Sequence, residues 1–226
     1  MQENFCFWND AGNPVHPASA ADFLPRAQLT LMQLHRLQVT IGRAYEHVPI
    51  FRERMDAKGL KPADIRSMAD LAHVPFTIKN DLRETYPFGL FASPIEDIVR
   101  LHASSGTTGK PIVVAYTQND LTVWKQVVIR ALAAAGVHRG DILQNSYGYG
   151  LFTGGMGLHY GAEALGCTVL PTSGGNTERQ LMLMRDMGVT VVCSTPSYFL
   201  HLLDVAENSG LDFKRDFKLR IGIFGA

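Results

Sequence analysis

The chain lacks the marks of a secreted, zinc-stapled or membrane-borne protein. Its 226 residues hold three cysteines, Cys6, Cys167 and Cys193. The number is odd and the spacings are wide. No C-x-x-C pair or histidine at zinc-ligand spacing accompanies them, so neither a disulfide framework nor a zinc module is expected and no metal site is assigned. They read as the reduced thiols of a cytoplasmic protein. Net charge is lacking too: 21 Lys and Arg balance 21 Asp and Glu, which leaves no overall field to recruit nucleic acid or an anionic membrane. No apolar run approaches the ~18 to 20 residues of a membrane span. The opening MQENFCFWND, with Glu3 and Asp10, has neither the basic start nor the apolar stretch of a secretory signal. No internal repeat or low-complexity tract is found, and a small-molecule ligand is the expected partner.

What is present is apolar residue in quantity, 46% of the chain, enough for one large core, or for a core plus a small helical appendage. Residues 1–25, with Pro14, Pro17 and Pro25, read as an extended lead-in. From Arg26 apolar positions recur three and four apart through Leu29, Leu34, Leu37, Ile41 and Val48, which predicts a helix ended by Pro49. Shorter helices are expected over Ile50–Lys58 and Pro62–Leu71, and from Thr77 to a stop at Pro87, so 26–95 is a helical region. From about residue 96 β-rich runs alternate with helical patterns. Strands are expected at Ile98–His102, Ile112–Tyr116, Asp141–Ser146, Cys167–Leu170, Val189–Ser194 and Leu219–Phe224. Helices are expected near Gln118–Ala135, Gly154–Leu165, Glu178–Met187 and Ser197–Asn208, with cap signals at Thr117, Gly136 and Asn176. Such alternation predicts an α/β fold over 96–226, a largely parallel sheet flanked by helices. The chain stops where the last strand would deliver its loop, so a truncated core is expected. A homodimer is one arrangement that would cover the unfinished sheet edge.

The most informative segment is Ala103-Ser104-Ser105-Gly106-Thr107-Thr108-Gly109-Lys110-Pro111. Small residues let backbone N–H groups close around phosphate oxygens, the hydroxyls donate further hydrogen bonds, and Lys110 adds positive charge. It is not a Walker A loop, which would need Gly at 104 and Ser or Thr at 111. The competing reading is an ordinary Ser/Thr/Gly hairpin loop. A second segment carries Tyr147, Tyr149 and Phe152 among Gly148, Gly150, Gly154 and Gly155. Such rings either wall a pocket for a ring-bearing substrate or pack a helix onto the sheet. In Ser173-Gly174-Gly175-Asn176-Thr177-Glu178-Arg179 a tight turn precedes a helix, and Arg179 either reaches an anion or is solvated. Ser194–Tyr198 sets another strand-to-helix turn. His102, directly before the loop, either contacts bound nucleotide or is a satisfied structural group, the reading favoured for it and for His159, and the methionines read as core filler.

Ser104–Pro111 resembles the phosphate-binding motif of the adenylate-forming superfamily, which includes acyl-CoA synthetases and luciferases. Within it, Tyr86-Pro87-Phe88-Gly89-Leu90-Phe91, Asn145–Gly155, Ser173–Gln180 and Arg220–Ala226 look like phenylacetate-CoA ligase. The resemblance covers nearly the whole chain from about residue 30, and about the first half of a family member. It implies the incomplete N-terminal domain of an enzyme that joins a carboxylate to ATP, giving acyl-AMP and pyrophosphate, and then transfers the acyl group to CoA. ATP, Mg²⁺, CoA and an aryl carboxylate such as phenylacetate are the implied partners. Ser104, Ser105, Gly106, Thr107, Thr108, Gly109 and Lys110 would hold ATP phosphates. Tyr147, Gly148, Tyr149 and Phe152 would form the aryl pocket. Gly225 and Ala226 match the start of the family's G-A-E-P segment and would line adenine and acyl group. The superfamily's adenylation lysine and its acidic ribose and metal groups lie in later motifs, so no catalytic residue is assigned and the chain alone is expected to be inactive. A related adenylating enzyme with another aryl acid or acceptor, and a non-catalytic nucleotide-binding module, are the alternatives.

Overall fold

In the computed structural model, which describes residues 7–8, 14–104, 110–151 and 153–225, two short strands, β1 (Phe7–Trp8) and β2 (Pro14–Val15), pair antiparallel, and Pro17–Phe23 forms a 3₁₀ turn. The chain divides into two compact units: Ala21–Asp120, and Leu121–Ala226 together with the first residues. Among the described residues no helix is long and apolar enough to cross a membrane.

The first unit opens with the expected periodic helix, α1 (Arg26–His47). Pro49 ends it and also starts α2 (Pro49–Ala57), because proline at a first helical position gives up only an N–H that has no partner there anyway. Ile41, Met55 and Ile65 are buried together, with Leu34, Leu37, Tyr45 and Phe51 packed around them. The single helix expected over Pro62–Leu71 is instead two 3₁₀ segments, Pro62–Asp64 and Met68–His73. The break has a local cause: the Asp70 carboxylate accepts from Arg66 N at 3.0 Å and from Ser67 N at 2.7 Å, a side-chain bond that competes with helix continuation. The short helix α3 (Lys79–Glu84) is fastened to α2 by a forked ion pair, Arg54 donating to the two Asp81 oxygens at 2.5 and 2.7 Å.

The unit closes with β3 (Ile98–Ala103) and β4 (Val113–Thr117), an antiparallel pair in which Leu101 faces Ala115 and Ala103 faces Val113. These two runs do not join the parallel sheet. Their connection is too short for the crossover that parallel strands need, so they fold back on each other.

The second unit is the α/β core. It comprises α4 (Gln118–Ala134, which opens at the unit boundary), β5 (Ile142–Asn145), α5 (Gly154–Leu165), β6 (Thr168–Leu170), α6 (Thr177–Asp186), β7 (Val191–Ser194), α7 (Pro196–Asn208), α8 (Phe213–Asp216) and β8 (Ile221–Phe224). The four strands lie in the order β6-β5-β7-β8, all parallel. Every residue of β7 is buried, as expected of a strand covered on both faces. Its side chains alternate: Val191 and Cys193 join Leu143, Leu132, Ala162 and Leu165 on one face, while Val192 joins Leu181, Met184, Leu202 and Phe217 on the other. Helices α4 and α5 cover the first face and α6 and α7 the second. The α/β expectation for this segment holds.

Candidate functional site

The order β6-β5-β7-β8 contains one reversal. From β5 the chain passes through α5 on one face to β6. From β7, the neighbour on the other side of β5, it passes through α7 on the opposite face. Where two adjacent parallel strands send their helices to opposite faces, the loops part and leave a crevice at the strands' carboxyl ends. Here the crevice lies beyond Asn145 and Ser194, which brings together the glycine-aromatic segment and the last strand.

A cavity of about 320 Å³ opens there, walled by Trp124 and Val128 of α4, Tyr147, Gly157 and Leu158 of α5, and Ile223 to Gly225. Tyr147 spans it. Its hydroxyl lies 2.6 Å from the Ser194 carbonyl and 2.7 Å from that of Gly225, to which it donates. Burial raises the phenol above its ordinary pKa, so the hydroxyl stays a donor and the ring is held as a flat apolar wall. Of the expected pocket residues, Tyr147 and Gly225 are thus in direct contact.

Tyr149 is not among the residues that line this cavity. Its hydroxyl accepts from Asn145 Nδ2 at 2.7 Å and lies 3.1 Å from His159 Nδ1, and His159 Nε2 is 3.0 Å from Glu163. Burial pushes its phenol up to about 12. Asn145 Nδ2 also donates to the Gly155 carbonyl at 2.7 Å. This chain of bonds ties Asn145 and Tyr149 to α5. His159 therefore has the structural partners expected of it. Gly148 serves the same closure, since its carbonyl lies against Gly155, where a Cβ would have no room.

The turn after β6 is clamped from below by Gln180, which is buried. Its Nε2 donates to the Ser173 and Gly175 carbonyls at 2.8 Å, and its Oε1 accepts from Ser146 Oγ at 2.7 Å and Gln144 Nε2 at 3.0 Å. Ser173 and Asn176 take positive φ, 61° and 49°, conformations that a non-glycine residue holds only when its surroundings fix them. Arg179 is exposed in the first turn of α6. Ser194–Tyr198 sets its turn as expected, Thr195 Oγ1 accepting from Tyr198 N at 3.3 Å.

Of the phosphate-loop residues, Ser105 to Gly109 lie outside the described residues, as do Phe152 and Ala226. The two that flank the loop belong to the first unit. Ser104 closes the hairpin neck: its N–H donates to the Ile112 carbonyl at 3.0 Å, and its Oγ accepts from Ile112 N at 2.9 Å. The Lys110 ammonium stands 5.6 Å from the centre of the Tyr86 ring, a cation–π distance. His102, one residue before Ala103, is buried edge-on to Tyr116 with ring centres 5.6 Å apart.

Sequence reasoning did not find Trp124, Val128 or Ile223. A signal was present: Trp124 and Val128 are four residues apart on α4, and Gly157 and Gly161 four apart on α5, the spacing at which one helix's ridge enters the other's glycine groove.

A parallel sheet flanked by helices on both faces matches the N-terminal part of adenylate-forming CoA ligases. The structure of 2-hydroxyisobutyryl-CoA ligase in complex with 2-HIB-AMP and CoA superposes with a TM-score of 0.84 at 30% identity, covering 89% of this chain and 44% of that one. No family model matches the chain. Within the class the chain is a relative of the phenylacetate-CoA ligases. It is 57% identical to that of Pseudomonas putida over 194 residues, 86% of this chain and 44% of the relative. It is 51% identical to that of Escherichia coli K12 over 214 residues, 95% and 48% respectively. The chain spans about half the length of the curated relatives it matches.

Proposed function

We propose that this chain supplies the nucleotide- and acyl-binding part of an ATP-dependent, AMP-forming CoA ligase whose substrate is an aryl carboxylate, phenylacetate in the first place. The observation that carries the reading is the cavity at the β5/β7 switch point, apolar, walled by Tyr147 and Trp124 and ending at Gly225. A cavity of this size falls in the range of small-molecule sites, where an apolar lining takes the ring and a few polar groups fix orientation. The identity of 51 to 57% to phenylacetate-CoA ligases supports the choice of acid.

In this reading the ring of the acid rests against Tyr147, whose hydroxyl is already committed to two carbonyls and takes no part in proton transfer. The carboxylate points toward Gly225 and the residue after it, to meet the α-phosphate of ATP. Forming acyl-AMP and pyrophosphate needs charge stabilisation on a phosphoryl group more than a protein nucleophile. Ser104 to Lys110 would provide that on the β- and γ-phosphates, from a hairpin whose neck the two Ser104–Ile112 bonds fix. Mg²⁺ would arrive on the phosphate oxygens, and CoA would take the acyl group in the second step. The 96–226 segment would then carry the ATP- and acyl-binding residues, following in sequence a helical region at 26–95, and a cytoplasmic location is part of the reading.

The test is pyrophosphate release by the product of the natural gene, beside the 226-residue chain, on ATP, CoA and phenylacetate. Turnover by the former and none by the latter is expected. Turnover only with another aryl acid, or without CoA, would move the assignment to a related adenylating enzyme. Silence of both on every acid would leave a nucleotide-binding module.

A further inference from the structure

The cavity's wall on the α4 side is built in an unusual way. α5 carries no side chain at Gly157 or Gly161, and α4 fills that groove with Trp124 and Val128. A Cβ on Gly157 would stand 2.6 Å from Trp124 Cζ2 and Nε1 and 2.7 Å from Cε2, closer than a carbon approaches a ring it does not displace. On Gly161 it would run into the Val128 side chain. The indole therefore lies down into a recess that only glycine leaves open, and its position determines how much of the 320 Å³ remains for a ligand. A dry cavity of roughly 150 Å³ is enough for a benzene ring. The space is about twice that, so total volume does not limit the ligand to one ring; the indole stands at the α4 boundary and decides how far a ring can extend on that side.

We infer that Trp124, seated by Gly157, is the specificity wall of this cavity and sets the ring size that it admits. The inference rests on the reading of the cavity as the aryl-acid site. Trp124 touches the ligand. Gly157 acts through Trp124 and is a positioning residue. The two make opposite predictions. Trp124→Leu removes the edge of the wall and deepens the pocket, while Gly157→Ala drives the indole into it. Adding or removing a methylene-sized contact in an apolar pocket shifts discrimination about 10- to 200-fold, so each variant is expected to shift it by about tenfold.

The experiment measures dissociation constants of phenylacetate and 1-naphthylacetate by calorimetry for wild type, Trp124→Leu, Trp124→Phe and Gly157→Ala, in both the 226-residue chain and the natural gene product, with folding checked by circular dichroism. The readout is the ratio of the two constants, because a merely loosened fold weakens both acids together and leaves the ratio alone. The ratio should move at least tenfold toward the bicyclic acid in Trp124→Leu, less so in Trp124→Phe, and away from it in Gly157→Ala. In a Trp8→Phe background Trp124 is the remaining indole of the two in the chain, and its emission should shift on phenylacetate binding. Phenylacetate bound with an unchanged ratio in folded variants, and a silent indole, would overturn this inference and spare the aryl-site reading. Failure of wild type to bind either acid in either form would remove that reading and the inference together.

Discussion

Asp141 stands at the foot of the sheet, at the amino end of β5, as a buried carboxylate held by four hydrogen bonds. Its side chain is 2% exposed. It accepts from Arg220 at 2.5 and 3.3 Å, from the His138 N–H at 2.9 Å and from Thr190 Oγ1 at 2.7 Å, which joins the segments entering β5, β7 and β8. Removing one partner of a buried pair costs about 3 to 5 kcal/mol. Arg220 remains 40% exposed and can rehydrate, so Asp141→Asn should cost near the lower end, about 3 kcal/mol. With a urea slope of about 1 to 3 kcal/mol per molar, the midpoint should fall by about 1 M or more. The pH dependence gives a second check. Burial works against the charged carboxylate, but the bonds from Arg220, His138 N and Thr190 outweigh it and hold the pKa below the ordinary 3.8. A carboxyl depressed in the folded state contributes stability that is complete above its unfolded pKa and is lost as pH falls through the folded one. The gap between wild type and Asp141→Asn should be full at pH 7 and close progressively below about pH 4. Urea unfolding followed by circular dichroism at both pH values measures it. An unchanged midpoint at pH 7, or the same gap at pH 3, would refute the assignment.

The first unit offers a parallel case in Asp81, where hydrogen bonds from Arg54 and then from Ile78 N hold the carboxyl down at about 2. Its contribution should be complete above the ordinary 3.8 and lost between there and about pH 2, and Asp81→Asn should abolish that part of the acid transition seen by circular dichroism. Cys167 and Cys193 are buried, which pushes their thiols up to about 11 and about 12. Neither should react with a thiol reagent at pH 8 until denaturant is added, as counted by mass spectrometry. Gly155→Ala should lower the melting temperature despite the roughly 1 kcal/mol that alanine gains over glycine inside a helix, since its Cβ would run into the Gly148 carbonyl. Gly150→Ala, with nothing within 4 Å of the added carbon, should change stability by less than about 0.5 kcal/mol.

Much of the second unit was legible because burial leaves a period in the sequence. Gly154–Leu165 is a helix from end to end as expected, and the last four strand candidates all lie within the sheet. The partition of the first two candidates into a hairpin of their own was written only in the length of their connection, which outweighs the strand-helix alternation around it. At Pro62–Leu71 the apolar spacing was helical, but the local bonds of Asp70 broke the helix into two turns. In the site, Tyr147 and Gly225 were each identified by type, yet their meeting at 2.7 Å spans most of the α/β core and depends on strand order, which no local pattern records.

The glycines of the loop after β5 and of α5 differ in what an added carbon would meet. Added carbons at Gly148 and Gly150 would meet nothing within 4 Å. At Gly155 and Gly157 the space is taken by the protein itself, by a carbonyl of the preceding loop and by the indole of α4. The cavity is thus shaped one step removed from the glycines: they admit Trp124 and the Tyr147–Gly148 backbone, and these in turn define what remains. If the cavity takes the aryl acid as proposed, substitutions on α4, a helix whose apolar stripe looks like ordinary core, should change selectivity more than those at the exposed loop glycines.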